Sequence, residues 1–239
     1  MIDHRSEPAS DVIIGILMLN TRFRRWPGDI GNPETFPFPV RYKIIDDAVP
    51  ERVTGLHDNT LLKPFIAAGL ELVADGVVGV TTTCGFLSVF QSALVEALGV
   101  PVATSALLQV PLAQRLIPQD RRVGVLTFDG AALTEPYLES VGVAPDTPVE
   151  GIGANSRLVR SILEGDDTVP FEALRADALA AADQLIAHNP SVGAIVCECT
   201  NLAPFSTDIA NRFGVPVFDI NTLVHWLHDG LRPRRHARP

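Results

Sequence analysis

The feature that most restricts this chain is a repeat. The segment from Val77, VVGVTTTCGFLSVFQSALVEALGVPVATSALL, returns from Val192 as VGAIVCECTNLAPFSTDIANRFGVPVFDINTLV. One constant offset, without gaps, sets Cys84 on Cys199, Leu87 on Leu202, Phe90 on Phe205, and Gly-Val-Pro-Val 99–102 on Gly-Val-Pro-Val 214–217. Between Ala/Val-rich segments a shared tetrapeptide carries little weight. A cysteine in register with it, in a chain with three cysteines, points to one supersecondary unit used twice.

A weaker echo precedes each copy: IIGILMLNT (13–21) resembles RVGVLTFDG (122–130) in its apolar run, internal glycine and polar end. Short Val/Ile-rich runs bounded by Gly or polar residues read as buried parallel strands, and their alternation with helical patterns reads as α/β units. Helices are expected over Leu61–Val73, capped by Asn59 or Thr60, over Phe171–Ala187, and over 86–98 and 201–213, the last two stopped by Gly99 and Gly214. The expected fold is α/β with two pseudo-symmetric lobes. Each lobe is a mostly parallel sheet flanked by helices, with the active site in the crevice between them. The first lobe is read as residues 10–105 with the C-terminal 216–232, and the second as 106–215.

A chain of 239 residues, 46% hydrophobic, can bury the core that two such lobes need. The formal net charge of -9 excludes a nucleic-acid partner, which requires a basic face. No apolar run is long enough to span a membrane. Neither a signal peptide nor a paired C-x-x-C pattern is found, so a cytoplasmic protein with free thiols is expected. A homodimer is the default for an apolar-rich chain of this size.

In open parallel sheets, ligands bind beyond the carboxyl ends of the strands. Cys84 and Cys199 fall there, each at a strand-to-helix turn, where unpaired N–H groups stabilise a thiolate and lower its pKa. If the lobes face one another, the sulfurs approach one ligand from opposite sides. Two acid/base groups on opposite faces of one carbon is the geometry of stereoinversion. The carbanion between the proton transfers needs a carboxylate and hydrogen-bond donors. Thr82, Thr83, Gly85, Thr127, Thr200 and Asn201 are placed to supply donors, and neither a metal nor pyridoxal phosphate is required. Cys197, two residues before Cys199, is read as core packing.

The paired loops TTTCGF and CECTNL, each followed by a helix and GVPV, resemble the cofactor-independent aspartate/glutamate racemase superfamily, which also includes hydantoin racemases, maleate cis–trans isomerases and arylmalonate decarboxylases. The resemblance runs from the first strand to the last helix. It implies that Cys84 and Cys199 are the catalytic thiols, with Gly85, Thr127 and Thr200 as oxyanion donors. Asn20, Thr21, Thr83, Phe86 and Asn201 complete the expected substrate-binding set. The substrate would be an amino acid or related small carboxylate, inverted without cofactor. Two departures stand out. Gly85-Phe86 stands where the amino-acid racemases usually carry Asn-Thr, and the second motif reads Glu198-Cys199-Thr200-Asn201 where Gly-Cys-Thr-His or Gly-Cys-Thr-Glu is typical. They direct attention to a larger or less polar carboxylate. A decarboxylase or cis–trans isomerase on the same scaffold, and a non-catalytic small-carboxylate sensor, are alternative readings.

Three further features stand out. The Gly/Pro-rich stretch 20–40 is long enough to form a lid, and Arg22, Arg24 or Arg25 could hold a carboxylate or simply be solvated. His57-Asp58 reads as a helix start. Asp129 and Asp219 end strands and either touch ligand or cap the next helix.

Overall fold

A computed structural model describes residues 12–54 and 59–233; the His57-Asp58 pair and most of the basic C-terminal tail lie outside the described residues. The chain runs β1 (Ile14–Leu19), β2 (Val40–Ile45), α1 (Pro50–Val53), α2 (Leu62–Ala74), β3 (Gly79–Thr82), α3 (Gln91–Leu98), β4 (Val102–Ala103), α4 (Val110–Leu116) and β5 (Arg122–Thr127). It continues through α5 (Glu135–Glu139), β6 (Val149–Gly151), α6 (Arg157–Glu164), α7 (Phe171–His188), β7 (Val192–Cys197), α8 (Ser206–Phe213), β8 (Val217–Phe218) and α9 (Ile220–Leu231).

The strands form two four-stranded sheets of the same order, β2-β1-β3-β4 and β6-β5-β7-β8, and every pairing is parallel. This is the expected two-lobed α/β architecture. The central strands β1, β3, β5 and β7 are almost wholly buried, which accounts for their continuous apolar runs. The edge strands β2 and β6 escape a reading based on such runs. VRYKII alternates polar with apolar residues and is mostly half-exposed, and VEG is three residues long.

The repeat is structural. Each cysteine loop opens a 3-10 turn, Gly85–Phe90 or Thr200–Phe205, before the α-helix proper begins. Each helix ends on a glycine in the left-handed region, Gly99 at φ 65° and Gly214 at φ 64°, a conformation that a Cβ penalises. The N-cap position of α2 is taken by Leu61, not by Asn59 or Thr60.

The lobes exchange their terminal helices. After β4, α4 packs on β5 and β7 of the other sheet; after β8, α9 packs on β3 and β4 of the first. Ile14 and Ile16 of β1 therefore share a core with Ile220, Leu223 and Val224 of α9, while Val110 of α4 joins a core with Val123 and Val125 of β5. Asp219 anchors this return by capping α9 in a reciprocal box with Thr222 and accepting from Ser206, so it acts as a cap.

Candidate active site

The threonine run ahead of Cys84 is a hydrogen-bonding device. Thr81 Oγ1 donates to Ala103 O at 2.8 Å, and Thr82 Oγ1 lies 2.6 Å from Thr104 O and 3.0 Å from Cys84 O. Thr83 Oγ1 accepts from the Leu19 N–H at 3.0 Å, fixing the loop to the end of β1. From the other lobe, Thr200 Oγ1 donates to Thr83 O at 2.8 Å. The two cysteine loops are thus bonded directly to each other, and the four threonines that make these bonds, Thr81, Thr82, Thr83 and Thr200, are buried.

Both thiols line one cavity at the carboxyl ends of the sheets, together with Thr83, Gly85, Phe86, Glu198, Thr200 and Asn201. Leu19, Phe23, Phe128 and Ile162 make much of the remaining wall apolar. The cavity is small, about 40 Å³.

The backbone N–H groups of Phe86 and Leu87 favour the ionised form of Cys84, and that of Asn201 the ionised form of Cys199. The sequence predicts that such donors depress the thiol pKa values. The structure reverses the net effect. Burial raises both thiols, the nearby Glu198 carboxylate raises them further, and the N–H groups offset only part of this. Without a further positive charge, both sulfurs are held as thiols. All three cysteines are free, and Cys197 is wholly buried in the second core.

Glu198 is the residue whose part the motif did not disclose. Its side chain is wholly buried, Oε2 accepts from Thr127 Oγ1 at 2.6 Å, and burial pushes its pKa from 4.5 up to about 7. The available signal was an acidic residue standing between two cysteines at the end of an apolar strand. Thr127 reaches the cavity only through this carboxylate. Asn20 lies outside it, donating to Asp46 O and lining an outer groove.

The 20–40 segment crosses the site. Phe23 and Arg25 line the cavity. Arg25 is paired with Asp29 at 2.9 Å, with side-chain exposures of 13% and 4%, and also donates to Thr21 Oγ1 at 2.7 Å. Asp29 Oδ2 accepts from Asn201 Nδ2 at 2.8 Å, so the segment is tied to the second cysteine loop. Gly28, at φ 93°, lies so close to Pro204 that a Cβ would stand 3.1 Å from its Cα. Arg24 stacks on Trp26 instead. Asp129 accepts from the N–H groups of Ala131 and Ala132, away from the thiols.

The fold is shared with racemases and an arylmalonate decarboxylase of known structure. Arylmalonate decarboxylase superposes with a TM-score of 0.57 at 18% identity, covering 95% of this chain and 96% of the other. A glutamate racemase from Bacillus anthracis gives 0.60 at 14% identity over 92% and 82%, and an allantoin racemase from Pseudomonas fluorescens 0.57 at 17% over 95% and 100%. In sequence, the chain is similar to a dimethylsulfoniopropionate lyase of Durusdinium sp. clade D, 27% identical over 224 residues, which is 86% of this chain and 70% of that protein. A dimethylsulfoniopropionate lyase of Emiliania huxleyi (strain CCMP1516) is 26% identical over 216 residues, and the chain spans only 56% of its length. No family model matches the chain.

Proposed function

We propose that this protein is a cofactor-independent lyase that removes the proton α to the carboxylate of a small acid and expels a leaving group from the adjacent carbon. The observation that carries this reading is that Cys84 and Cys199 line one and the same cavity. One thiolate takes the α proton. The C–H electron pair becomes the new double bond, and the leaving group departs with the electrons of its own bond. The opposing thiol supplies a proton where the product or leaving group requires one.

Backbone and hydroxyl donors from Gly85, Phe86 and Thr200 would hold the substrate carboxylate as it takes up charge. Thr21, Thr83 and Asn201 would complete the wall, and Arg25, already committed to Asp29 and Thr21, would act chiefly as a fixed positive neighbour. The choice of elimination rests on the sequence relatives, which are named as lyases of a sulfonium-bearing propionate.

A second reading, racemisation or epimerisation at the same carbon, is favoured by the pseudo-symmetric placement of the two cysteine loops. Both readings share the first proton transfer and differ in what the carbanion does next. Incubating the protein in deuterated buffer with dimethylsulfoniopropionate, chiral α-amino acids and arylmalonates separates them. Acrylate and dimethyl sulfide from the first compound are the expected result. Optical inversion with α-deuteration, and no alkene, would establish the second.

A further inference from the structure

We propose that Glu198 is the specificity residue of this site, the counter-charge for a positively charged onium group on the substrate, so that the preferred ligand is a compact carboxylate bearing a sulfonium or quaternary ammonium. The inference deepens the reading of the site as one acting on a small carboxylate, and rests on it.

The carboxylate lies in the cavity wall with 0% of the residue exposed. Oε2 is satisfied by Thr127, but Oε1 is buried with no hydrogen-bond partner among the described residues. Room for that oxygen is made by Gly85: a Cβ there would stand 2.2 Å from Oε1 and 2.5 Å from Cδ. The guanidinium of Arg25 is committed to Asp29 and Thr21, and among the described residues Thr127 alone is bonded to the Glu198 carboxyl. A buried carboxylate needs a compensating charge or else a proton. In this cavity the positive charge is left for the ligand to bring. The rings of Phe23, Phe86 and Phe128 in the same wall suit the methyl groups of an onium, whose diffuse charge is attracted to aromatic faces.

The same charge would serve the chemistry. Both thiols and Glu198 are pushed toward their neutral forms in the empty cavity. An onium entering beside them favours the ionised form of each. A neutral isostere of the same shape leaves them protonated.

The test is calorimetric binding to the full-length chain carrying Cys84→Ser and Cys199→Ser, so that turnover plays no part. Dimethylsulfoniopropionate is compared with 4-methylpentanoate, which puts a C–H carbon in place of the sulfonium. The expected preference for the onium is about tenfold or more, a difference of ~1.4 kcal/mol, and Glu198→Gln brings the ratio close to one. Where that variant is poorly folded, the pH dependence gives a second readout. With Glu198 present the ratio rises between pH 6 and pH 8, as the carboxyl ionises through about 7. An onium preference that survives Glu198→Gln, a ratio that does not move with pH, or binding of neither ligand overturns the proposal. Its failure is distinct from failure of the parent reading, which concerns turnover by the thiols: an onium preference that depends on Glu198, in a protein without turnover, would keep this inference and reject the lyase.

Discussion

The carboxylate of Glu198 fills the space that any side chain at Gly85 would need, with Oε1 only 2.2 Å and the Glu198 carbonyl oxygen 2.6 Å from where a Cβ would sit. The two departures from the racemase motifs are therefore one structural event. The usual pattern sets a side chain after the first cysteine and a glycine before the second. Here the glycine follows the first cysteine and the side chain precedes the second. The Glu198 carboxylate occupies the space beside Gly85 and stands near both sulfurs.

That reciprocity gives a packing prediction. Gly85→Ala drives a methyl group into the Glu198 carboxylate and is expected to destabilise the fold by about 1–3 kcal/mol, the usual range for overpacking. Combining Gly85→Ala with Glu198→Gly should recover only the part of the loss due to the carboxylate, because the contact with the Glu198 carbonyl oxygen remains. Urea unfolding of the two single variants and the double variant measures the coupling. Strict additivity would show that the two positions do not share space.

Glu198 also predicts a pH dependence of stability. Its folded pKa, about 7, lies above the ordinary glutamate value of 4.5. A carboxyl raised in this way stabilises the fold fully below about 4.5, and its contribution is lost as pH rises toward 7. The upper bound is roughly 3 kcal/mol. Other carboxylates titrate in the same window, so the informative quantity is the difference between wild type and Glu198→Gln. The wild type should lose stability relative to the variant between pH 4.5 and 7, and no further above that.

The Arg25–Asp29 pair is buried and continues to Asn201. Asp29→Ala leaves a guanidinium without its counter-charge and unties the 20–40 segment from the second cysteine loop. The expected cost is about 3–5 kcal/mol. Asp29→Asn, which retains the shape and one acceptor, should cost less. Thermal or urea denaturation distinguishes the two, and equal losses would mean that the charge of Asp29 contributes nothing.

Burial of the thiols predicts their reactivity. With both raised above the ordinary cysteine value, the ligand-free protein should be alkylated slowly by iodoacetamide at pH 7.5. The rate should still be rising at pH 9, because the thiolate is the reacting form. In Glu198→Gln the nearby negative charge is gone, so alkylation at a given pH should be faster. A rate that levels off below pH 8 would show a thiolate already formed in the resting site.

Much of this was legible in the sequence because the repeat has a physical cause. Two sheets of identical order require two sets of buried strands, each followed by a turn that ends on a left-handed glycine, and those constraints leave marks at 84–102 and 199–217. The edge strands β2 and β6 left no such mark, being half-exposed or very short. The 3-10 turns at 85–90 and 200–205 were read as continuous helix, since their apolar spacing does not separate the two forms. Thr83, Gly85, Thr200 and Asn201 line the cavity as the position of the loops implies, and Phe86, which the family resemblance implies, lines it as well. The burial that outweighs the N–H groups around the sulfurs, the carboxylate lodged against Gly85, and the tie from Asp29 to Asn201 all arise between lobes, where local pattern carries no information.

The most direct test of the central claim is the rate of α-proton exchange into deuterated buffer, or of alkene formation, for wild type, Cys84→Ser and Cys199→Ser with dimethylsulfoniopropionate as substrate. If both sulfurs act on one bound carboxylate, each substitution lowers the rate by about 10²–10⁴-fold while the fold remains intact by circular dichroism. Full turnover in either serine variant would contradict a two-thiol site.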